Sequence, residues 1–274
     1  MRTIVRGITL SAALTLATSA AAGGPPGGPL TKCPTDSVVS STVCMDKYEA
    51  SVWRVPNPTT TNKSLVKKIQ QGKATAANLV AGGATQLGIG FTDDYAPCAD
   101  SGQNCSDDVY AVSLPGVPPS ANLTWFQSQA ACENARKRLP SNAEWQAAVA
   151  GTPDPGPDNG TTDCNTASAF TAVSTGSRSA CVSSRGAFDM VGNLYERVAD
   201  WVPRSTACGT WSGGVSPTGD DQCLGGAATT GEPGALLRGG SFLFSNGSFA
   251  GPLSVNGLYV PSRAFDFIGF RCAR

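Results

Sequence analysis

Ten cysteines and not one histidine constrain this 274-residue chain more than any other feature. No two cysteines stand in a CxxC pair, the spacing that marks many reduced metal and redox sites, and an even set in an exported chain fits a disulfide framework. Local spacing suggests Cys33 with Cys44, Cys98 with Cys105, Cys164 with Cys181 and Cys208 with Cys223, which leaves Cys132 and Cys272 as a long-range tie. Such a tie would hold the end of the chain to a mid-chain helix. By loop-closure entropy it contributes on the order of 4–5 kcal/mol, less any native strain. The missing histidine excludes Ser-His-Asp and Cys-His catalysis, histidine-ligated zinc or iron, and a histidine general base. Chemistry is left to carboxylates, cysteines and backbone.

Residues 1–22 read as a secretory signal, with a basic start at Arg2 and Arg6, a short apolar run from Ile8 to Ala17 and small residues at Ala20, Ala21 and Ala22. That run is too short to span a bilayer and no later segment reaches about 18 apolar residues. The expectation is a secreted, periplasmic or cell-surface protein with no membrane span. Formal charge is zero over the whole chain, about −2 without Arg2 and Arg6, and no long basic run occurs, so nucleic acid is not an expected partner. Residues 23–32 read as a flexible leader. Residues 33–274 are long enough for one domain with a real core, and no composition break divides them.

Val43 to Trp53 has short β-like patterning, and Asn62 to Val80 carries two helix-like pieces broken at Gly72. Phe91 to Pro119 reads as loop, its Asp93, Asp94, Asp107 and Asp108 as solvated carboxylates and not a cation site. Thr124-Trp125-Phe126-Gln127 and Ser141-Asn142-Ala143-Glu144 are capping boxes, predicting helices to about Lys137 and Val149. Three prolines make Thr152 to Gly160 irregular. In Gly186 to Glu196, Asp189 and Glu196 flank the Gly192-Asn193 turn, a spacing that by itself is weak support for a hard cation. The last stretch, from Leu236, starts a strand at Arg238-Gly239-Gly240-Ser241-Phe242 and closes with Ile268-Gly269-Phe270-Arg271-Cys272. Six of the ten phenylalanines lie there. Phe242 and Phe270 fit a core; Phe244, Phe249, Phe265 and Phe267 have turn-like neighbours and fit either core or surface.

Taken in order, LTWFQSQAACENARKRLPSNAEW (Leu123 to Trp145), GAFDMVGNLYERVADWV (Gly186 to Val202), LRGGSF (Leu237 to Phe242) and GFRC (Gly269 to Cys272) resemble the formylglycine-generating enzyme or sulfatase-modifying factor family. CMDKYEA (Cys44 to Ala50) is similar to its N-terminal block. The resemblance implies an α+β, C-type-lectin-like fold with little regular secondary structure, many disulfides and bound calcium. It implies that Cys132 pairs with Cys272, and that a calcium ion is held by Asp189, Gly192, Leu194 and Glu196. A second family calcium site would start at Asn165 and Thr166, but its aspartate falls around Ser177 and Arg178.

The family's oxidases carry a redox cysteine pair that binds copper and the substrate cysteine, and those positions are Phe244 and Phe249 here. Phenylalanine forms no thiolate, copper bond or mixed disulfide, so no copper is expected. The tryptophan of the calcium-loop motif is Tyr195, and another family disulfide falls on Val149 and Ser254. The segment 237–274 also resembles the terminal variable region of proteins diversified by retroelements, which vary surface residues on this fold while holding its frame. The resulting expectation is a non-catalytic binding or display protein that takes a protein or glycan ligand. Its contacts would be Ser241, Phe242, Phe244, Ser245, Asn246, Ser248, Phe249, Asn256, Tyr259 and Arg263. The alternatives are an oxidase of the family with altered chemistry and a structural envelope protein.

Overall fold

A computed structural model describes residues 32–89, 95, 98–105, 108–154, 156–243 and 249–274. Strands β1 (Ser37–Ser40) and β2 (Val43–Asp46) form an antiparallel pair. Strand β3 (Ala50–Arg54) is the centre of a three-stranded antiparallel sheet, with β4 (Thr85–Leu87) on one side and β5 (Val109–Ser113) on the other. Every residue of β5 is buried. A stretch read as loop from its charged neighbours thus contains an apolar strand, VYAVS, too short to announce itself by alternation.

Between these strands lie α1 (Lys63–Gln70) and α2 (Ala76–Ala81), separated where Gly72 takes φ 66°. Helices α3 (Trp125–Asn134) and α4 (Asn142–Val149) open on the two capping boxes, with Thr124 and Ser141 accepting from the amides of Gln127 and Glu144 and both reciprocal bonds formed. Helix α3 ends three residues before Lys137 because Arg136 turns to φ 57° and the Lys137 amide closes back onto the Cys132 carbonyl at 2.8 Å. The turn drives Lys137 inward. Its ammonium, fully buried, meets Asp46 at 2.6 Å and Asp36 at 2.8 Å.

The C-terminal half builds a six-stranded sheet from β6 (Tyr195–Val202), β7 (Ala207–Thr210), β8 (Asp221–Gly225), β9 (Gly234–Arg238), β10 (Val255–Asn256) and β11 (Ile268–Phe270), ordered β11-β6-β9-β10-β8-β7. The last strand β11 pairs parallel to β6, and β9 antiparallel to it. Between α4 and this sheet, Trp145, Val149, Met190, Val198 and Leu236 form one core cluster. A second cluster joins β3 and β5 to α3 and the chain end through Val52, Ala111, Leu139 and Phe270. Five disulfides join Cys33 to Cys44, Cys98 to Cys105, Cys132 to Cys272, Cys164 to Cys181 and Cys208 to Cys223. The long-range bridge, spanning 140 residues, ties α3 to the chain end.

Candidate functional site

The C-terminal segment is held by its frame from three sides. Gly239 takes φ 84° and a Cβ there would lie 2.7 Å from the Met190 carbonyl, so only glycine lets the chain pass this close. Arg238 lies with its guanidinium 4.8 Å from the Trp145 ring centroid and donates to the Ser254 carbonyl at 2.7 Å. At the far end Arg271 donates to both oxygens of Glu196, whose Oε2 also accepts from the Trp145 indole at 2.6 Å.

Within that frame the ten expected contact residues separate. Ser241, Phe242 and Asn256 turn inward and are buried. Phe242 packs with Ala121 and Leu194, and Asn256 is a strand residue whose carboxamide accepts from the Leu258 amide at 2.9 Å. Paired glycines lead Ser241 straight into the β6 side of the core, which the mixed local sequence does not reveal. These three are therefore part of the frame in this conformation. Phe249 and Tyr259 are half-buried and Arg263 is exposed. Phe244, Ser245, Asn246 and Ser248 lie outside the described residues.

Two further aromatics belong with Tyr259. Phe265 and Phe267 lie 5.1 Å and 5.6 Å from its ring, and all three rest half-exposed on the core of Tyr195, Leu237 and Ile268. Beside Phe242 a cavity of about 230 Å³ opens between Ile89, Pro119, Ala172 and Asp266. The face therefore combines half-buried rings, an apolar recess and the exposed Arg263. Tyr195, standing where the family motif has tryptophan, uses its hydroxyl to reach Asp221 at 3.0 Å. Sequence alone had no signal for that partner, which comes from β8.

The loop expected to hold calcium is buried. Asp189 accepts from the Gly176 amide at 2.7 Å and takes φ 56°, and Asn193, also left-handed at φ 56°, binds Glu49 through its carboxamide at 2.5 Å. Glu49 also accepts from the Leu194 amide at 3.0 Å. Burial, then the charges of Asp189 and Glu196, push the Glu49 carboxyl well above the usual range; burial pushes Asp189 up to about 6. Three carboxylates thus surround Arg271, whose guanidinium also donates to the carbonyls of Asp46 and Phe188 at 3.0 Å and 2.8 Å. The donors are hard oxygens and the charge is negative in excess, which fits calcium in kind. Glu196, however, is committed to Arg271 through both oxygens, and among the described residues no three carboxylate or cysteine side chains converge on a metal-sized point. Glu49 was missed by motif spacing because it lies 140 residues upstream of Asp189; its burial in CMDKYEA is the one sequence signal.

A sulfatase-modifying factor enzyme 1-like domain model matches residues 45–274. The chain belongs to that family. Membership agrees with the sheet-rich, disulfide-rich α+β architecture and with the C-type-lectin-like fold expected of it. Among solved structures, a variant of the Major Tropism Determinant, P3c, is similar over 88% of this chain and 54% of its own, at 16% identity and a TM-score of 0.45. The chain thus spans about half the length of that protein. Treponema denticola variable protein 1 is similar over 86% of this chain and 85% of its own, at 16% identity and TM-score 0.38; for CarF the figures are 85% and 85%, 15% and 0.39. A comparison with curated proteins finds no significant match.

Proposed function

We propose that this family member is an exported binding protein that displays its C-terminal segment and performs no thiol oxidation. The observation that carries the reading is that no cysteine lies between Cys223 and Cys272 and all ten are joined in disulfides, so the positions that the family resemblance gives to the oxidase cysteines, Phe244 and Phe249, carry no thiol. The chain therefore keeps the frame of the family and loses its reactive group. Half-exposed Tyr259, Phe265 and Phe267 beside Arg263 supply aromatic anchors with a polar neighbour, the composition that dominates protein interfaces. Five bridges limit the entropy lost on association. The same bridges support an oxidising, extracytoplasmic location, and no helix among the described residues is long and apolar enough to cross a membrane. The retroelement-diversified variable proteins are the relatives in function this reading points to, with a protein or glycan as ligand.

Calcium at the Asp189 loop belongs to the same proposal. The excess negative charge of Glu49, Asp189 and Glu196 is balanced either by protons or by a cation, and Asp189 with the Gly192 and Leu194 carbonyls would supply oxygens to a calcium ion. Its part would be structural, fixing the turn beneath β6.

The experiment is an oxidation assay on a cysteine peptide with copper supplied. The proposal expects the peptide thiol to remain, with no aldehyde product above the protein-free control. Turnover that survives repurification and disappears with mutation of a residue in 241–263 would overturn it.

A further inference from the structure

A second cavity shares no lining residue with the recess of the C-terminal face. It holds about 450 Å³, within the range of small-molecule sites, and is walled by the end of β1–β2, the α1–α2 turn and the end of β5. Lys47 and Tyr48 stand on one wall. The Lys47 backbone is pinned on both sides, its amide to the Asp36 carbonyl at 2.9 Å and its carbonyl to the Phe188 amide at 2.8 Å. The Lys47 ammonium stands 5.6 Å from the centroids of both Tyr48 and Phe188, which stack at 5.3 Å. Gly176 backs the Tyr48 ring so closely that a Cβ there would lie 2.6 Å from Cε1. Lysine and ring are thus set before any ligand arrives.

The two charged residues of this wall differ in what they are paired with. Asp36 lines the cavity, but Lys137 at 2.8 Å and Arg274 at 3.0 Å already hold its carboxylate, and Asp46 is held by Lys137. Among the described residues Lys47 forms no ion pair. Of the two charged residues that line the cavity, Asp36 is thus already neutralised by its own partners, which leaves the Lys47 ammonium to a ligand. Hydroxyls add donors: Ser113 accepts from the Tyr48 amide at 3.0 Å and Thr75 from the Asn78 amide at 3.2 Å, which leaves each O–H to give. Leu114, Pro115 and Ala76 make the remainder of the wall apolar.

We propose that this cavity binds a small organic anion, a carboxylate carried on an apolar ring, with the carboxylate on Lys47 and the ring against Leu114 and Pro115. An ammonium among hydroxyl donors selects an acceptor-only anion, and the apolar wall selects against a bare inorganic one. The site is independent of the C-terminal surface, so it stands or falls separately from display.

Benzoate is the probe, with benzyl alcohol as its neutral counterpart and inorganic phosphate as the anion without a ring. Amide-resolved NMR titration should give saturable benzoate shifts centred on Lys47, Ser113 and Ala76. Benzyl alcohol and phosphate should each bind at least tenfold more weakly. Lys47→Met keeps the aliphatic stem over the two rings and should lose at least tenfold in benzoate affinity at an unchanged melting temperature; Lys47→Arg should retain it. No saturable shift, shifts centred elsewhere, equal affinity for benzyl alcohol or phosphate, or full affinity in folded Lys47→Met would each overturn the proposal. If Lys47→Met fails to fold, loss of benzoate binding on Ser113→Ala, with the fold retained, supports the site and its persistence counts against it.

Discussion

Arg271 grips Glu196 through two nitrogens, Nε at 2.7 Å and Nη2 at 2.5 Å, with both side chains buried. Arg197, next to Glu196 on β6, is equally buried yet among the described residues has no carboxylate partner: it donates to the carbonyls of Leu123 and Arg263, and its Nε and Nη1 find no acceptor there. Burial with nothing to offset it pulls the Arg197 guanidinium down to about 9. The two arginines should respond oppositely to replacement. Arg271→Met strands Glu196 and is expected to cost about 3–5 kcal/mol, whereas Arg197→Met removes an unpaired buried charge and should be neutral or stabilising. Urea unfolding of both variants checks this; an equal loss in the two would contradict it.

Asp221 tests the sign of the pH response. Burial pushes its carboxyl up to about 6, against the hydrogen bonds from Ser254 and Tyr195. An unfolded aspartate titrates near 3.9, so between about pH 4 and 6 the folded state binds the proton and the unfolded state does not. Stability from this group is therefore full below about pH 4 and is lost as pH rises to 6. Relative to Asp221→Asn, the wild type should lose about 2–3 kcal/mol over that window. A difference that is flat or grows with pH would refute the assignment.

The calcium proposal predicts that a chelator lowers the melting temperature, with saturating metal worth about 2–4 kcal/mol by mass action on the folded state alone. Asp189→Ala should abolish the difference. Identical melts with and without chelator would count against a metal ion at this loop.

Much of the frame was legible because it is local. The capping boxes at Thr124 and Ser141 name their own helix starts, and cysteine spacing with the family motifs pairs Cys132 with Cys272. Strand β5 was not legible, since five buried residues between polar loops carry no periodicity. Nor was the burial of Ser241 and Asn256, which depends on where β10 inserts between β8 and β9, a non-local pairing. Glu49 and Asp221 illustrate the same limit: each partners a residue on β6 or its loop from a distant part of the chain.

Joining α3 to the chain end, the Cys132–Cys272 bridge should be found as a cross-linked peptide pair on non-reducing digestion. Replacing both cysteines with alanine is expected to cost about 4–5 kcal/mol, less any strain relieved. Cys272 found free or joined to Cys223 would overturn the framework.

Display itself is tested most directly by sequencing the 38 codons for residues 237–274 in many isolates of one source population. The account predicts amino-acid changes concentrated at positions such as 244–249, 259 and 263, with Arg238, Gly239, Gly240 and 268–272 unchanged. Invariance throughout the segment, or changes spread at equal density over residues 45–236, would contradict it.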